Sequence, residues 1–312
     1  MTAPNRWLTT IARTLLGLLG ALPLAALQRL AAALAWCSAR LDTRESRVAR
    51  VNVALCFARR DAATRKAMHR ATLRHTACAV LECARIWTRP AAASQRWIVE
   101  VHGRELLDAA RADGRGVIVA APHLGNWELF GHYLAACGPL SIVYREPQWG
   151  PAGEILLSGR GGDAVEQLPA QPSSVRKMLK ALKDGRILGI LPDQQPKVGE
   201  GEFAPFFGRP ALTMTLLSRL AARAGVEVVF GVARRLPDAR GFAVHFLPAL
   251  PGIADPDPGV ATAALNAGVE ACVALAPEQY QWTYKRFSRA APGLTNPYLA
   301  GHAPAADASG DA

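Results

Sequence analysis

The chain of 312 residues contains no run of about 18 uninterrupted apolar residues, which excludes a polytopic membrane protein. Its six cysteines stand singly at 37, 56, 78, 83, 137 and 272, with no C-x-x-C pair. That pattern argues against a zinc ribbon or a secreted disulfide scaffold and for a reducing compartment. Also missing are a G-x-S-x-G elbow, a G-x-x-x-x-G-K-[ST] loop, an H-E-x-x-H pair and a G-x-G-x-x-G turn at a strand–helix junction. Serine-elbow hydrolases, P-loop nucleotide hydrolases, zincins and dinucleotide-binding folds therefore lack their signatures. Histidines and cysteines are scattered, so neither a metal nor another cofactor is expected. Carboxylates are scarce in one place only. Residues 1–96 hold 16 Lys/Arg against Asp42, Glu45, Asp61 and Glu82, whereas the rest holds 20 basic and 21 acidic groups. The formal charge of +11 thus belongs to the first third, an asymmetry that suits an anionic partner, nucleic acid or a membrane surface.

Half of the residues are hydrophobic and a fifth are charged, ample for a core and incompatible with disorder of the whole chain. The apolar content of the basic end favours the membrane over nucleic acid. Between Arg13 and Arg29 lie 15 uncharged residues, including Pro23, and a second apolar stretch follows up to Arg40. Residues 7–39 read as a tilted span with Arg29 tucked in, or as a helical hairpin lying in the interface. Trp7 and Trp36 near the two ends suit interfacial anchors. A buried amphipathic helix of a soluble protein is the plain alternative. A cleaved signal peptide is disfavoured, because no A-x-A site leads into a polar mature start. No reading helix or aromatic binding strand accompanies the basic residues, so nucleic acid is not expected.

Residues 41–96 read as helices with arginines on one side and Ala, Val and Leu on the other. From about 99 the pattern becomes an alternation of strands and helices. Segments 116–121, 140–144, 187–191, 226–232 and 242–247 have the length and composition of buried strands. Segments 126–137, 173–184, 212–224 and 259–276 carry helical periodicity. The expected fold is α/β, with a mostly parallel central sheet flanked by helices and an N-terminal apolar membrane-attachment region. The expected division is 1–40 attachment segment, 41–292 α/β domain and 293–312 low-complexity tail.

The first strand of the sheet runs into Ala121-Pro122-His123-Leu124-Gly125-Asn126-Trp127-Glu128, after which a helix begins. His123 therefore sits at the carboxyl end of a buried strand, where open α/β sheets place their ligands. Asn126 is placed to cap the helix, and Glu128, in its first turn, is placed to fold back on the imidazole. A carboxylate on one ring nitrogen leaves the other as a general base, a triad without its nucleophile. Spacing alone carries little, since His302 with Asp307 gives a second H-x4-acid match. That match lies in the tail with no strand before it. The strand–helix context singles out His123.

His123-Leu-Gly-Asn-Trp-Glu128 resembles the H-x4-E block of the bacterial lipid A biosynthesis late acyltransferases, the lauroyl and myristoyl transferases of the lysophospholipid acyltransferase group. The resemblance covers nearly the whole chain. Arg47-Val-Ala-Arg50-Val-Asn52 with Leu55-Cys56-Phe57 lies before the block. After it come Val143-Tyr144-Arg145, Gly159-Arg160 and Leu191-Pro192-Asp193-Gln194-Gln195. Pro205-Phe206-Phe207-Gly208 with Thr213 follows, and Pro277-Glu278-Gln279-Tyr280-Gln281-Trp282 runs to Lys285-Arg286-Phe287. The resemblance implies transfer of a fatty acyl group from acyl-carrier protein to a hydroxyl of a lipid A precursor, at the cytoplasmic face of the inner membrane. It implies catalytic roles for His123, Glu128, Arg160 and Asp193. Arg145 and Asn126 are the substrate-binding candidates. Arg160, or else Arg145, would stabilise the oxyanion or bind the acceptor's phosphate, and Asp193 would hold one of these arginines. Glu146 replaces a proline usual after the Tyr-Arg pair, and a Gly-Gly pair follows Arg160, departures that leave open a related glycolipid or phospholipid acceptor. A non-catalytic adaptor using only the basic third would have no use for the His123–Glu128 pair.

Overall fold

The computed structural model describes residues 6–144, 159 and 165–299. The chain opens with α1 (Arg6–Ala21) and α2 (Leu24–Arg40), separated by an extended Pro23 that bends the pair by 114°. Then come α3 (Arg44–Cys56) and the long α4 (Ala62–Thr88). Thr43 and Asp61 start these two helices by accepting the backbone N–H of Ser46 and Thr64, each three residues on. After α4 come α5 (Ala91–Gln95), β1 (Ile98–His102) and α6 (Arg104–Ala109). The sheet region follows with β2 (Val117–Ala120), α7 (Trp127–Cys137), β3 (Leu140–Tyr144), β4 (Val165–Pro169), α8 (Val175–Lys183) and β5 (Ile187–Ile190). The chain continues through β6 (Gly201–Phe206), β7 (Arg209–Met214), α9 (Leu216–Ala224), β8 (Val228–Arg235), β9 (Phe242–Pro248) and α10 (Pro258–Ala274).

Seven strands form one sheet in the order β1-β9-β8-β2-β5-β3-β4, parallel throughout except for the β8–β9 pair. Strand alternation sorts the core into two layers. Ile118, Ala120, Leu188 and Ile190 face α8, α9 and α10, whereas Val117, Val119 and Ile187 face α6, α7 and the end of α4. Both faces are covered, which is why the strands read as continuous apolar runs.

All five strands and three of the four helices expected from periodicity are present. Segment 212–224 is different: Arg209–Met214 is a strand and only Leu216–Ala224 is helical. The β6–β7 hairpin turns through Phe207 and Gly208, both left-handed, with Phe206 opposite Arg209, so two residues suffice for the loop.

At the amino end, no single helix among the described residues is long and apolar enough to cross a membrane, and α1 with α2 passes only as the bent pair. α2 is built into the body. Leu24, Leu27, Ala31 and Ala35 recur at helical spacing and are buried, with Leu27 and Ala31 packed against Cys78 and Leu81 of α4. At the other end, the Tyr298 hydroxyl donates to Asn52, whose own amide donates to the Trp282 and Tyr284 carbonyls at 2.6 and 2.8 Å. Asn52 of α3 thus ties the amino-terminal helices to the carboxyl-terminal segment. The remainder of the tail, 300–312, lies outside the described residues.

Candidate active site

β2 and β5 are adjacent and parallel, so the loops leaving their carboxyl ends emerge side by side. That adjacency brings together residues 70 positions apart. Asp193 Oδ1 lies 2.8 Å from His123 Nδ1, and Asp193 Oδ2 accepts the His123 backbone N–H at 2.9 Å. A carboxylate only accepts, so Nδ1 carries the proton and Nε2 keeps its lone pair. Burial alone would raise the Asp193 carboxyl, but the His123 charge and the hydrogen bonds from its ring and backbone hold it below the usual carboxylate range. Burial, and then the nearby Asp193 charge, push the Tyr280 phenol well up, so it stays protonated. The imidazole edge is steadied by Trp127, its ring centre 5.0 Å away.

Nε2 faces a cavity of about 250 Å³ walled by Phe130, Leu134, Ile142, Ile190, Leu191 and Met214. No serine, threonine or cysteine is among the described residues that line it. The Gln194 amide nitrogen sits 3.2 Å from His123 Nε2 and 3.5 Å from Gln281 Oε1. Gln194 thus stands where a substrate hydroxyl would have to approach the free ring nitrogen.

The backbone around His123 is held from three sides. Gly125 N–H donates to the Gln279 carbonyl, Asn126 N–H to Ala233, and Gln281 N–H to His123 itself. Gly125 is left-handed (φ 65°), and a Cβ there would lie 2.0 Å from the Ala233 carbonyl oxygen, so no other residue fits without moving β8. The Pro277–Trp282 block is thereby explained: its backbone pairs with the histidine loop. Phe206 and Phe207, with Trp282, belong to an aromatic core cluster and do not line the cavity.

Below the loop lies a buried ion pair that the sequence reading did not single out. Arg235 Nε and Nη2 reach Glu82 Oε1 and Oε2 at 2.7 and 2.6 Å, with both side chains almost wholly buried. Glu82 also accepts from the Asn126 amide at 2.9 Å, and Arg235 donates to the Gly125 carbonyl at 3.3 Å. Burial would lower the Arg235 guanidinium, but the Glu82 carboxylate overcomes it and raises it. A lone carboxylate on the apolar face of an arginine-rich helix was the available signal. Arg235 Nη1 also donates to His75 Nδ1 at 3.1 Å, which requires a neutral ring. Burial, then the Arg235 charge, lower His75 from 6.5 to about 3. Between these values the unfolded chain binds a proton that the folded one does not, so stability rises with pH through the window and levels off above it. Acidification from neutrality towards pH 3 should destabilise the fold progressively. His75→Gln, which keeps an acceptor, should flatten that slope in chemical denaturation; an unchanged slope would mean that other groups set it.

The positions expected from sequence fall out as follows. His123 and Asp193 meet, and Asp193 takes the ring nitrogen expected for Glu128; the arginines it was expected to hold, Arg145 and Arg160, fall on residues that are not described. Glu128 lines the cavity, where its Oε2 accepts the Trp87 indole N–H at 3.1 Å. Asn126 caps α7 by accepting the Leu129 N–H at 2.9 Å; it is buried beneath the loop with its amide on Glu82, not in the cavity. Arg145 and Arg160 lie outside the described residues. Gly159, the neighbour of Arg160, is placed at the site: its carbonyl lies 3.1 Å from His132 Nε2, and a Cβ on it would strike Trp87.

A family model described as bacterial lipid A biosynthesis acyltransferase matches residues 1–289. The chain is 30% identical over 299 residues to a lipid A biosynthesis lauroyltransferase of Escherichia coli, covering 95% of this chain and 96% of that protein. It is 29% identical to the same organism's palmitoleoyltransferase, with the same coverages, and 25% identical to its myristoyltransferase over 83% of this chain and 80% of that one.

Proposed function

Because the chain belongs to the bacterial lipid A biosynthesis acyltransferase family, we propose that it moves a fatty acyl group from acyl-carrier protein to a hydroxyl of a lipid A precursor. The reaction takes place at the cytoplasmic face of the inner membrane, with α1 and the outer side of α2 resting in the interface. The observation that carries the mechanism is the His123–Asp193 pair, with Nε2 facing an apolar cavity that has no serine, threonine or cysteine among its described lining residues.

In this reading the acyl chain lies along the apolar wall, and its thioester carbonyl sits near His123. The acceptor hydroxyl displaces the Gln194 amide from Nε2 and gives its proton to that nitrogen as its oxygen attacks. Asp193 stabilises the imidazolium that forms, and the proton then passes to the departing thiolate of the carrier. The transfer is direct and leaves no covalent enzyme intermediate. The displaced Gln194 amide is free to donate to the oxyanion, a contribution of about 3–4 kcal/mol for one well-aimed donor. Arg160 is our further candidate for that charge or for the acceptor's phosphate, and Arg145 for substrate binding. No cofactor is needed for this chemistry.

Mass spectrometry of lipid A tests the assignment. Cells lacking the protein should accumulate lipid A short of one acyl chain, restored by the parent gene and not by a His123→Ala version. Unchanged lipid A with a change in another glycolipid would move the acceptor.

A further inference from the structure

A second concavity, sharing no lining residue with the reaction cavity, lies between α2, α3 and α4 and measures about 1340 Å³. Alanines make the hollow. Ala32, Ala35, Ala39, Ala54, Ala58 and Ala62 recess its floor, where larger side chains would fill the space between helices. Cations stand on its walls. Lys66, Arg70 and Arg74 follow one another at four-residue intervals on one face of α4, and Arg59, Arg65 and Arg209 join them. Arg40 lies over the Trp36 ring at the α2 wall, 5.3 Å from its centre. No carboxylate lines the groove, and Arg50 alone among its described cations is ion-paired, with Asp42 at the rim. Seven like charges stand along it without a counter-ion among the described residues. Such an arrangement is self-repelling and calls for an anion.

We propose that this groove binds the phosphate headgroup of an anionic bilayer phospholipid, seating the enzyme on the membrane at a place separate from its chemistry. Two observations select a lipid over a folded acidic partner. The groove is a hollow between helices with ample room for a headgroup and its glycerol backbone. The helix that forms its α2 wall, and α1 before it, leave Ile11, Leu15, Leu18, Leu34 and the 62%-exposed Trp36 facing outward. Exposed apolar and indole side chains beside cations are the composition of an interfacial surface, and a water-soluble acidic protein has no use for them. The proposal stands apart from the transfer reaction, because binding is read without turnover.

The test is flotation of the full chain with vesicles of phosphatidylcholine, with and without phosphatidylglycerol. Lys66→Gln/Arg70→Gln/Arg74→Gln keeps good helix formers on α4 and removes three groove charges. Each cation near an anionic surface contributes roughly fivefold, so binding to the phosphatidylglycerol vesicles should fall by about a hundredfold. Arg176→Gln/Lys177→Gln/Lys183→Gln on α8 removes the same net charge elsewhere and should bind as the parent does. Should the first variant fail to fold, Arg59→Gln/Arg209→Gln empties the opposite walls and should weaken binding in the same sense. Parental binding by the groove variants overturns the proposal, as does an equal loss in the α8 variant. Normal vesicle binding with a raised KM for the acyl-carrier protein would make the groove a protein dock and overturn it too.

Discussion

Asp193→Asn will leave the protein folded and lower kcat by about 10³–10⁴-fold, with KM little changed. The size of the effect follows from two hydrogen bonds that Asp193 takes on separate oxygens and that an asparagine leaves competing for one. Asp193 accepts both the His123 backbone N–H and the ring Nδ1–H. An asparagine has a single acceptor oxygen, and the backbone N–H can only donate, so the oxygen goes there. The amide NH₂ then faces Nδ1, which must accept, and the ring proton moves to Nε2. The base is lost without any change of shape. Loss of the carboxylate also removes the charge that balances the imidazolium. Steady-state kinetics check this, and a loss smaller than tenfold would place the base elsewhere.

Glu82→Leu, or Arg235→Leu, should cost about 3–5 kcal/mol, because each strands the other ion in a dry interior. For a chain of this length that corresponds to a melting temperature lower by roughly 5–8 °C, at an unfolding entropy of about 2.1 cal/mol/K per residue. The double variant Glu82→Leu/Arg235→Leu should recover much of the stability, since a well-packed apolar pair avoids the desolvation cost. Its activity should stay low. Asn126 loses the carboxylate that holds its amide, Gly125 loses a donor on its carbonyl, and the loop carrying His123 loosens. Stability and turnover thus part company in the double variant. If turnover returns with stability, the pair is only a structural staple.

What the sequence disclosed depended on how far apart the interacting residues lie. The buried strands were legible because each is a short apolar run covered on both faces. The helix after His123 was legible from Asn126 and the turn before it. The β6–β7 hairpin was hidden: its strand Arg209–Met214 runs straight into Leu216–Ala224, and the joined apolar pattern mimics one longer helix. At the site, the H-x4-E spacing is local and drew attention to Glu128. The residue that holds His123 is Asp193, and that follows only from β2 lying beside β5, which no local pattern encodes. Asn126 shows the same divide. Its cap is a local property, whereas its bond to Glu82 spans 44 positions and turns it away from the cavity. Glu82 and Arg235, 153 positions apart, went unread for that reason.

The central claim is that His123 and Asp193 act as one unit in direct acyl transfer. Single-turnover rates of His123→Ala, Asp193→Asn and the double variant, with acyl-carrier protein as donor and a purified lipid A precursor as acceptor, test it most directly. Groups that act as a unit fail together, so the double variant should lose no more than His123→Ala alone, at least about 10²-fold, while all three stay folded. Losses that multiply in the double variant, or near-parental transfer by folded His123→Ala, would contradict it.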